Sequence, residues 1–246
     1  MRDVEPIRET LERTAEAISS SIGSVFEDLE TIADAVSTAA VNAPGGAPRR
    51  SAFQFLKQEM ANFINQHSGV IVGAGIAYAP GSLPEAPHWL EWWRTQPSGS
   101  SGEARFVTHD LNPDSLNYYD YTSREWFTIP SASGKPVAVG PYVDFGGINV
   151  NIITLCVPAN TPQGTHVLGG DLTLAKLEGV FLRALQLRDP SVVLLGPNGR
   201  VIASNDARIA SGTLLLDEDA RRVEDSVDVS PSNPTRLPWK LISLRK

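Results

Sequence analysis

From Ile7 to Ala40 the apolar residues fall at Ile7, Leu11, Ala15, Ile18, Ile22, Val25, Leu29, Ile32, Val36 and Ala40. Steps of three and four keep all of them on one face of an α-helix, and the opposite face is polar and acidic. A helix of this length exceeds the ordinary globular one, so its stripe must lie along more than one packing unit or pair with a copy of itself. Two arrangements stay open: a homodimer through this helix, or a single-chain helix covering the back of a sheet.

After the helix, Asn42-Ala-Pro-Gly-Gly-Ala-Pro48 is a turn, and Phe53, Leu56, Met60, Phe63 and Ile64 mark a second helix ending near His67. The run Val70–Tyr78 is a buried strand, and its Gly73-Ala-Gly75 marks close sheet packing, because a dinucleotide loop needs a third glycine and a following helix. Leu90–Trp93 and Arg105–Leu111 are expected strands, with Gly99–Gly102 a loop between them. Ser123 is expected to cap a short helix through Trp126 and Phe127. Strands follow at 135–145 and 149–157, joined by the hairpin signal Gly146-Gly147, and then at 164–172. Leu174, Leu177, Val180, Phe181, Leu182 and Leu185 form a helix stripe that runs to Asp189-Pro190. Short strands at 192–195, 201–203, 223–229 and 239–244 complete the chain. Two helices, an antiparallel-type sheet, a connecting helix and a further small sheet make an α+β fold.

The residues with chemistry concentrate between Asn117 and Phe145. Tyr118, Tyr119, Tyr121, Trp126, Phe127 and Tyr142 gather there in a chain only 7% aromatic, with Arg124 among them. Aromatic walls exclude water, and a guanidinium offers a planar fork to a carboxylate, so the stretch reads as a binding site. A core aromatic cluster beside a surface arginine has the same composition. Asp120 and Asp144 flank the stretch and are expected to cap turns or neutralise Arg124. Trp89, Trp92 and Trp93 divide between core and pocket rim, because adjacent strand residues face opposite ways.

Composition narrows the function classes. At 246 residues and 41% hydrophobic, the chain can bury one substantial core or two small ones. Its net charge of −7, from 28 acidic and 21 basic residues, argues against a nucleic-acid partner. Cys156 is the only cysteine and His67, His88, His109 and His166 are scattered, so neither a disulfide nor a metal site is expected. No Gly-x-Ser-x-Gly elbow or cofactor loop is present, so no cofactor and no catalysis are expected. The N-terminus lacks an apolar leader and no apolar run approaches the roughly 20 residues of a membrane span, which places the chain in the cytoplasm as written. An excised extracytoplasmic domain would look the same.

The ordered set Tyr119-Asp-Tyr-Thr-Ser-Arg-Glu-Trp-Phe127, Pro141-Tyr-Val-Asp144 and Gly169-Gly-Asp-Leu172 resembles the Cache sensor domains, PAS-like modules of bacterial receptors, and is most similar to the amino-acid-binding double-Cache type. The resemblance covers roughly Ser51 to the C-terminus. It implies a long N-terminal helix and turn (1–48), a membrane-distal-like pocket module with its connecting helix (49–189) and a smaller PAS-like module (190–246). It implies a ligand site at Tyr119, Arg124, Trp126, Phe127, Tyr142 and Asp171. In those roles Arg124, Tyr119 and the Trp126 indole hold an α-carboxylate, while Asp171 and Tyr142 hold the α-ammonium. Phe127 departs from the family's tyrosine, so the ligand could be an amino acid, an amine or a small carboxylate. The implied function is a non-catalytic small-molecule sensor that signals by helix or dimer rearrangement; the alternative is a dimeric partner-interaction protein with a vestigial pocket. Arg124 and Asp171 could also simply pair with each other.

Overall fold

The computed structural model describes residues 7–95, 104–144, 150–186, 190–229 and 237–245. The stripe becomes helix α1 (Ile7–Val41), followed by α2 (Leu56–Gln66). Strands β1 (Ile71–Ala77), β2 (Leu90–Thr95) and β3 (Ala104–Val107) precede α3 (Glu125–Ser133). Then come β4 (Val137–Val143), β5 (Asn151–Thr161), β6 (Gly164–Thr173) and α4 (Leu174–Leu185). The remainder is β7 (Ser191–Leu195), β8 (Val201–Ser204), the single turn α5 (Asp217–Ala220), β9 (Val223–Val229) and β10 (Trp239–Leu244). The α+β class read from the sequence is the class observed.

The strands form two antiparallel sheets, ordered β3-β2-β1-β6-β5-β4 and β8-β7-β10-β9. Helix α1 runs along both, touching β5 in the first and β9 and β10 in the second. Its stripe residues Leu11, Ile18, Ile22, Val25, Leu29 and Val36 are fully buried in a core shared with α2, α4 and the inner faces of both sheets. The stripe therefore spends its apolar surface within its own chain, the second of the two arrangements that the sequence left open. Lys176 at the start of α4 donates to the carbonyls of Ser68 and Ile71, which ties the connecting helix to the chain entering β1.

The large sheet is covered on both faces. Trp93, Ile76, Leu155 and Leu168 point into the α1 core, whereas Trp92, Leu90, Val139 and Cys156 point the other way, toward α3. The neighbours Trp92 and Trp93 thus divide between the two faces, and Trp89 lies under the Arg50 guanidinium at 3.7 Å.

Two local expectations are corrected. The strand expected over 105–111 ends at Val107, since the Asp110 carboxylate accepts from the Asn112 N–H and turns the chain. Ser123 does not cap α3: its hydroxyl donates to the Asp120 carbonyl, Arg124 occupies the cap position in extended geometry, and the helix continues through Pro130 to Ser133. Gly134, at φ 65°, ends it, a left-handed position where glycine costs no side-chain clash. The expected Gly99–Gly102 loop, the Gly146-Gly147 turn, Phe145, Asn149 and Asp189 lie outside the described residues.

Candidate ligand-binding site

On its α3 side the large sheet carries a row of polar residues set by strand register. Arg94 on β2 pairs with Gly73 on β1, Gly73 with Asp171 on β6, and Asp171 with Thr154 on β5. Neighbouring strands lie about 4.8 Å apart, so Arg94 and Asp171 are about 10 Å apart at the backbone. The residue between them is glycine, and this lets them meet. A Cβ at Gly73 would stand 2.6 Å from Arg94 Cγ. With that space free, the Arg94 side chain crosses β1 and places Nη2 3.1 Å from Asp171 Oδ2 and 2.5 Å from Asp144 Oδ2. One row along, Trp92 lies over Gly169, where a Cβ would meet its ring at 2.6 Å, and its indole N–H donates to Asp171 Oδ2 at 2.9 Å.

Asp171 is only 2% exposed, and its other oxygen accepts from the Thr154 hydroxyl at 2.8 Å. Because Thr154 donates there, the Tyr142 hydroxyl 2.6 Å away donates to Thr154, giving a relay from Tyr142 to Thr154 to Asp171. Burial pushes the Asp171 carboxyl above the usual range; the Arg94 charge opposes this and Asp144 adds to it, leaving a net rise. Burial works against the Arg94 charge too, but Asp171 and Asp144 outweigh it and hold the guanidinium more firmly protonated than usual. Arg94 Nε is buried and has no acceptor among the described residues.

Tyr119 and Tyr142 wall this network off. Burial, then the charges of Asp144 and Asp171, push the Tyr119 hydroxyl up to about 12, with Arg124 and a hydrogen bond from Trp126 opposing. Burial followed by Asp171 raises Tyr142 still further. His109, stacked on Tyr119 with ring centres 4.6 Å apart, is held below its ordinary value by burial and then by Arg94. The phenols and the imidazole are therefore neutral at pH 7.

Two cavities border these residues. The inner one, about 20 Å³, is lined by Trp92, Arg94, Tyr119, Tyr142, Asp144 and Asp171 among others. That is room for about one water molecule. The outer one is an open cleft of about 700 Å³ between α3, β4 and the start of the small sheet, reached by Arg124, Ile129, Asn198 and Arg200. Tyr119, Trp126, Tyr142 and Asp144 border both.

The six residues expected from the sequence are therefore distributed. Tyr119, Trp126 and Tyr142 form the wall between the cavities, Arg124 lies exposed in the cleft, and Asp171 is at the back of the inner chamber. Phe127 lines neither; it packs edge-on against Tyr121 and Trp126 beneath α3. Arg124 and Asp171 do not pair, and Asp144 neutralises Arg94 instead of Arg124. Asp120 caps a turn through the Thr122 N–H, and Cys156 packs as a buried apolar residue. Arg94 is the central residue that the sequence reading missed. Its signal was a glycine pair two residues apart on one buried strand, facing Trp92 and Arg94 two residues apart on the next. Among the described residues no acidic, histidine or cysteine cluster could hold a metal ion, and no helix is long and apolar enough to cross a membrane.

A long spine helix, a large antiparallel sheet and a smaller second sheet make a Cache-type fold, which is also the fold of solved chemoreceptor ligand-binding domains. No protein-family profile matches the chain, and no curated protein sequence does. Among solved structures, it is similar to a methyl-accepting chemotaxis protein, with TM-score 0.65 and 17% identity over 93% of this chain and 91% of the other. It is also similar to the ligand-binding domain of the Pseudomonas aeruginosa amino-acid chemoreceptor PctB in complex with L-Arg, with TM-score 0.63 and 18% identity over 98% and 94%. A third is the ligand-binding domain of the P. aeruginosa amino-acid chemoreceptor PctC in complex with GABA, with TM-score 0.60 and 16% identity over 97% and 98%.

Proposed function

We propose that this chain is a non-catalytic sensor domain whose ligand is a small metabolite carrying a carboxylate, an amino acid or a close relative. The observation that carries the reading is the open cleft, with the exposed Arg124 guanidinium on one side and the Tyr119, Trp126 and Tyr142 wall behind it. A guanidinium beside aromatic rings suits a carboxylate, held by paired N–H donors and screened from water. The likeness to domains solved with L-Arg and GABA supports the same ligand size and class.

The proposed output is mechanical. The cleft opens between the two sheets and α1 packs on both, so a ligand that draws the sheets together shifts the packing of α1. If α1 also meets a second copy, it would do so through its polar face. In this reading residues 1–48 are the spine helix and turn, 49–189 the ligand module and 190–246 the smaller module. A receptor domain outside the membrane agrees better with these neighbours than the cytoplasmic placement expected from the sequence.

The test is thermal unfolding of the purified chain with the twenty amino acids, biogenic amines and small carboxylates at millimolar concentration. Ligand at about a hundred times its dissociation constant adds about 2.7 kcal/mol of stability, a shift of a few degrees at this size. A hit that vanishes in Arg124→Ala supports the reading. No shift with any compound overturns it and favours the partner-interaction alternative.

A further inference from the structure

We propose that Arg94 is a specificity-determining residue, a resident cation that makes this site take a carboxylate lacking an α-ammonium in preference to the matching amino acid. The inference rests on the sensor reading above and narrows its ligand class.

The argument is one of occupancy. An amino acid bound across the site would need a carboxylate in front of its ammonium, and Asp171 is the deepest one. That place is taken. Asp171 already receives the Arg94 guanidinium at 3.1 Å, the Trp92 indole N–H at 2.9 Å and the Thr154 hydroxyl at 2.8 Å, and it is 2% exposed. The chamber in front of it has about 20 Å³ left, too little for a tetrahedral ammonium and the carbon that bears it. Admission would require Arg94 to withdraw from two carboxylates at once, and its stem is seated in the space left by Gly73. An ammonium arriving there would replace one cation with another and gain only the exchange.

Asp144 borders the cleft, but it too is engaged by Arg94, at 2.5 Å. Among the described residues the cations facing the cleft are Arg124 and Arg200, whose Nη1 donates to the Gly212 carbonyl. The cleft therefore offers two cations, with the exposed Glu125 carboxylate beside Arg124, and an aromatic wall whose innermost carboxylate is internally neutralised. A ligand carrying a carboxylate, with a hydroxyl or keto group where an amino acid has its amine, fits this layout. The Tyr119 hydroxyl is a neutral donor for that oxygen, and the Tyr142 oxygen, whose proton goes to Thr154, can accept from a ligand hydroxyl.

The experiment uses matched pairs on the whole chain, by titration calorimetry: L-alanine against L-lactate and pyruvate, L-aspartate against L-malate, and L-glutamate against 2-oxoglutarate. The expected result is that at least one amine-free acid binds ten-fold or more tightly than its amino counterpart. Arg94→Gln, which empties the place in front of Asp171, should shrink that ratio to near one or reverse it. Arg94→Lys keeps a cation there and should preserve the preference; it and the wild-type ratio decide the matter if Arg94→Gln does not fold. An amino acid that binds wild type more tightly than its amine-free partner overturns the inference while leaving the sensor reading intact. So does a preference unchanged in Arg94→Gln. No binding by any member overturns both.

Discussion

The inner chamber and the outer cleft share the wall of Tyr119, Trp126 and Tyr142, yet they differ in the state of their arginines. Arg94 is largely buried, its side chain 12% exposed, and it crosses a strand and serves two carboxylates. Arg124 is exposed at the head of α3, where its guanidinium carbon lies 5.6 Å from the Tyr119 ring centre and makes no ion pair among the described residues. One charge is part of the fold and the other is available to something else. A sequence motif names the residues around a pocket; which charges are already answered depends on register across several strands.

The sharpest way to break this comparison is Asp171→Ala. It would leave the largely buried Arg94 with Asp144 alone and strand the Trp92 and Thr154 donors, costing about 3–5 kcal/mol of stability by denaturant unfolding with no ligand present. A cost below about 1 kcal/mol would mean that the inner network does not hold the sheet.

His166 supplies a contrast of a different kind: a buried group with no counter-charge among the described residues. It is 0% exposed, its Nδ1 accepts from the Ala79 N–H at 3.0 Å, and burial lowers its pKa to about 4. The unfolded chain holds that proton with a pKa of about 6.5 and the folded chain releases it, so the stabilisation is full above pH 6.5 and is lost as pH falls toward 4. The fall should reach about 3 kcal/mol over that window. His166→Asn keeps an acceptor for Ala79 and removes the titration, so its stability should vary correspondingly less with pH over the same range. Equal pH profiles for the two proteins would remove His166 from the account.

Gly73→Ala sharpens the comparison from the backbone side. Its added methyl meets the Arg94 stem, so Arg94 must give way, at about 1–3 kcal/mol. The amine-free preference should weaken along with it. Arg124→Ala is expected to be the mildest for stability, within about 0.5 kcal/mol in denaturant unfolding, as for an exposed side chain, while being the most damaging for ligand affinity. A large loss of stability there would place Arg124 in the fold after all.

Local patterns made much of the fold legible. The stripe from Ile7 to Ala40 names α1 because helical periodicity is written in neighbouring residues, and the same holds for the Leu174–Leu185 stripe. The aromatic wall was legible because Tyr119 and Trp126 lie within eight residues of each other. The expected cap at Ser123 failed because its hydroxyl found a closer acceptor in the Asp120 carbonyl. Arg94 was illegible for a different reason. Its contact with Asp171 spans 77 positions and requires β2, β1 and β6 to align with a glycine between the two charges. That information exists only once the strands are paired. Likewise, the stripe could not say whether α1 would meet its own sheets or a second copy, since apolar surface is indifferent to its source.

The placement of Trp92 gives the site a built-in optical reporter. Its indole N–H is bonded to the same Asp171 oxygen that holds Arg94, and its ring lies 5.7 Å from that of Trp126 in the shared wall. Any event that moves the guanidinium changes the charge beside one excited indole and the packing of a second, so intrinsic fluorescence should register it without a label. Trp239, Trp93 and Trp89 pack in or against the other core and supply the background against which the change is read.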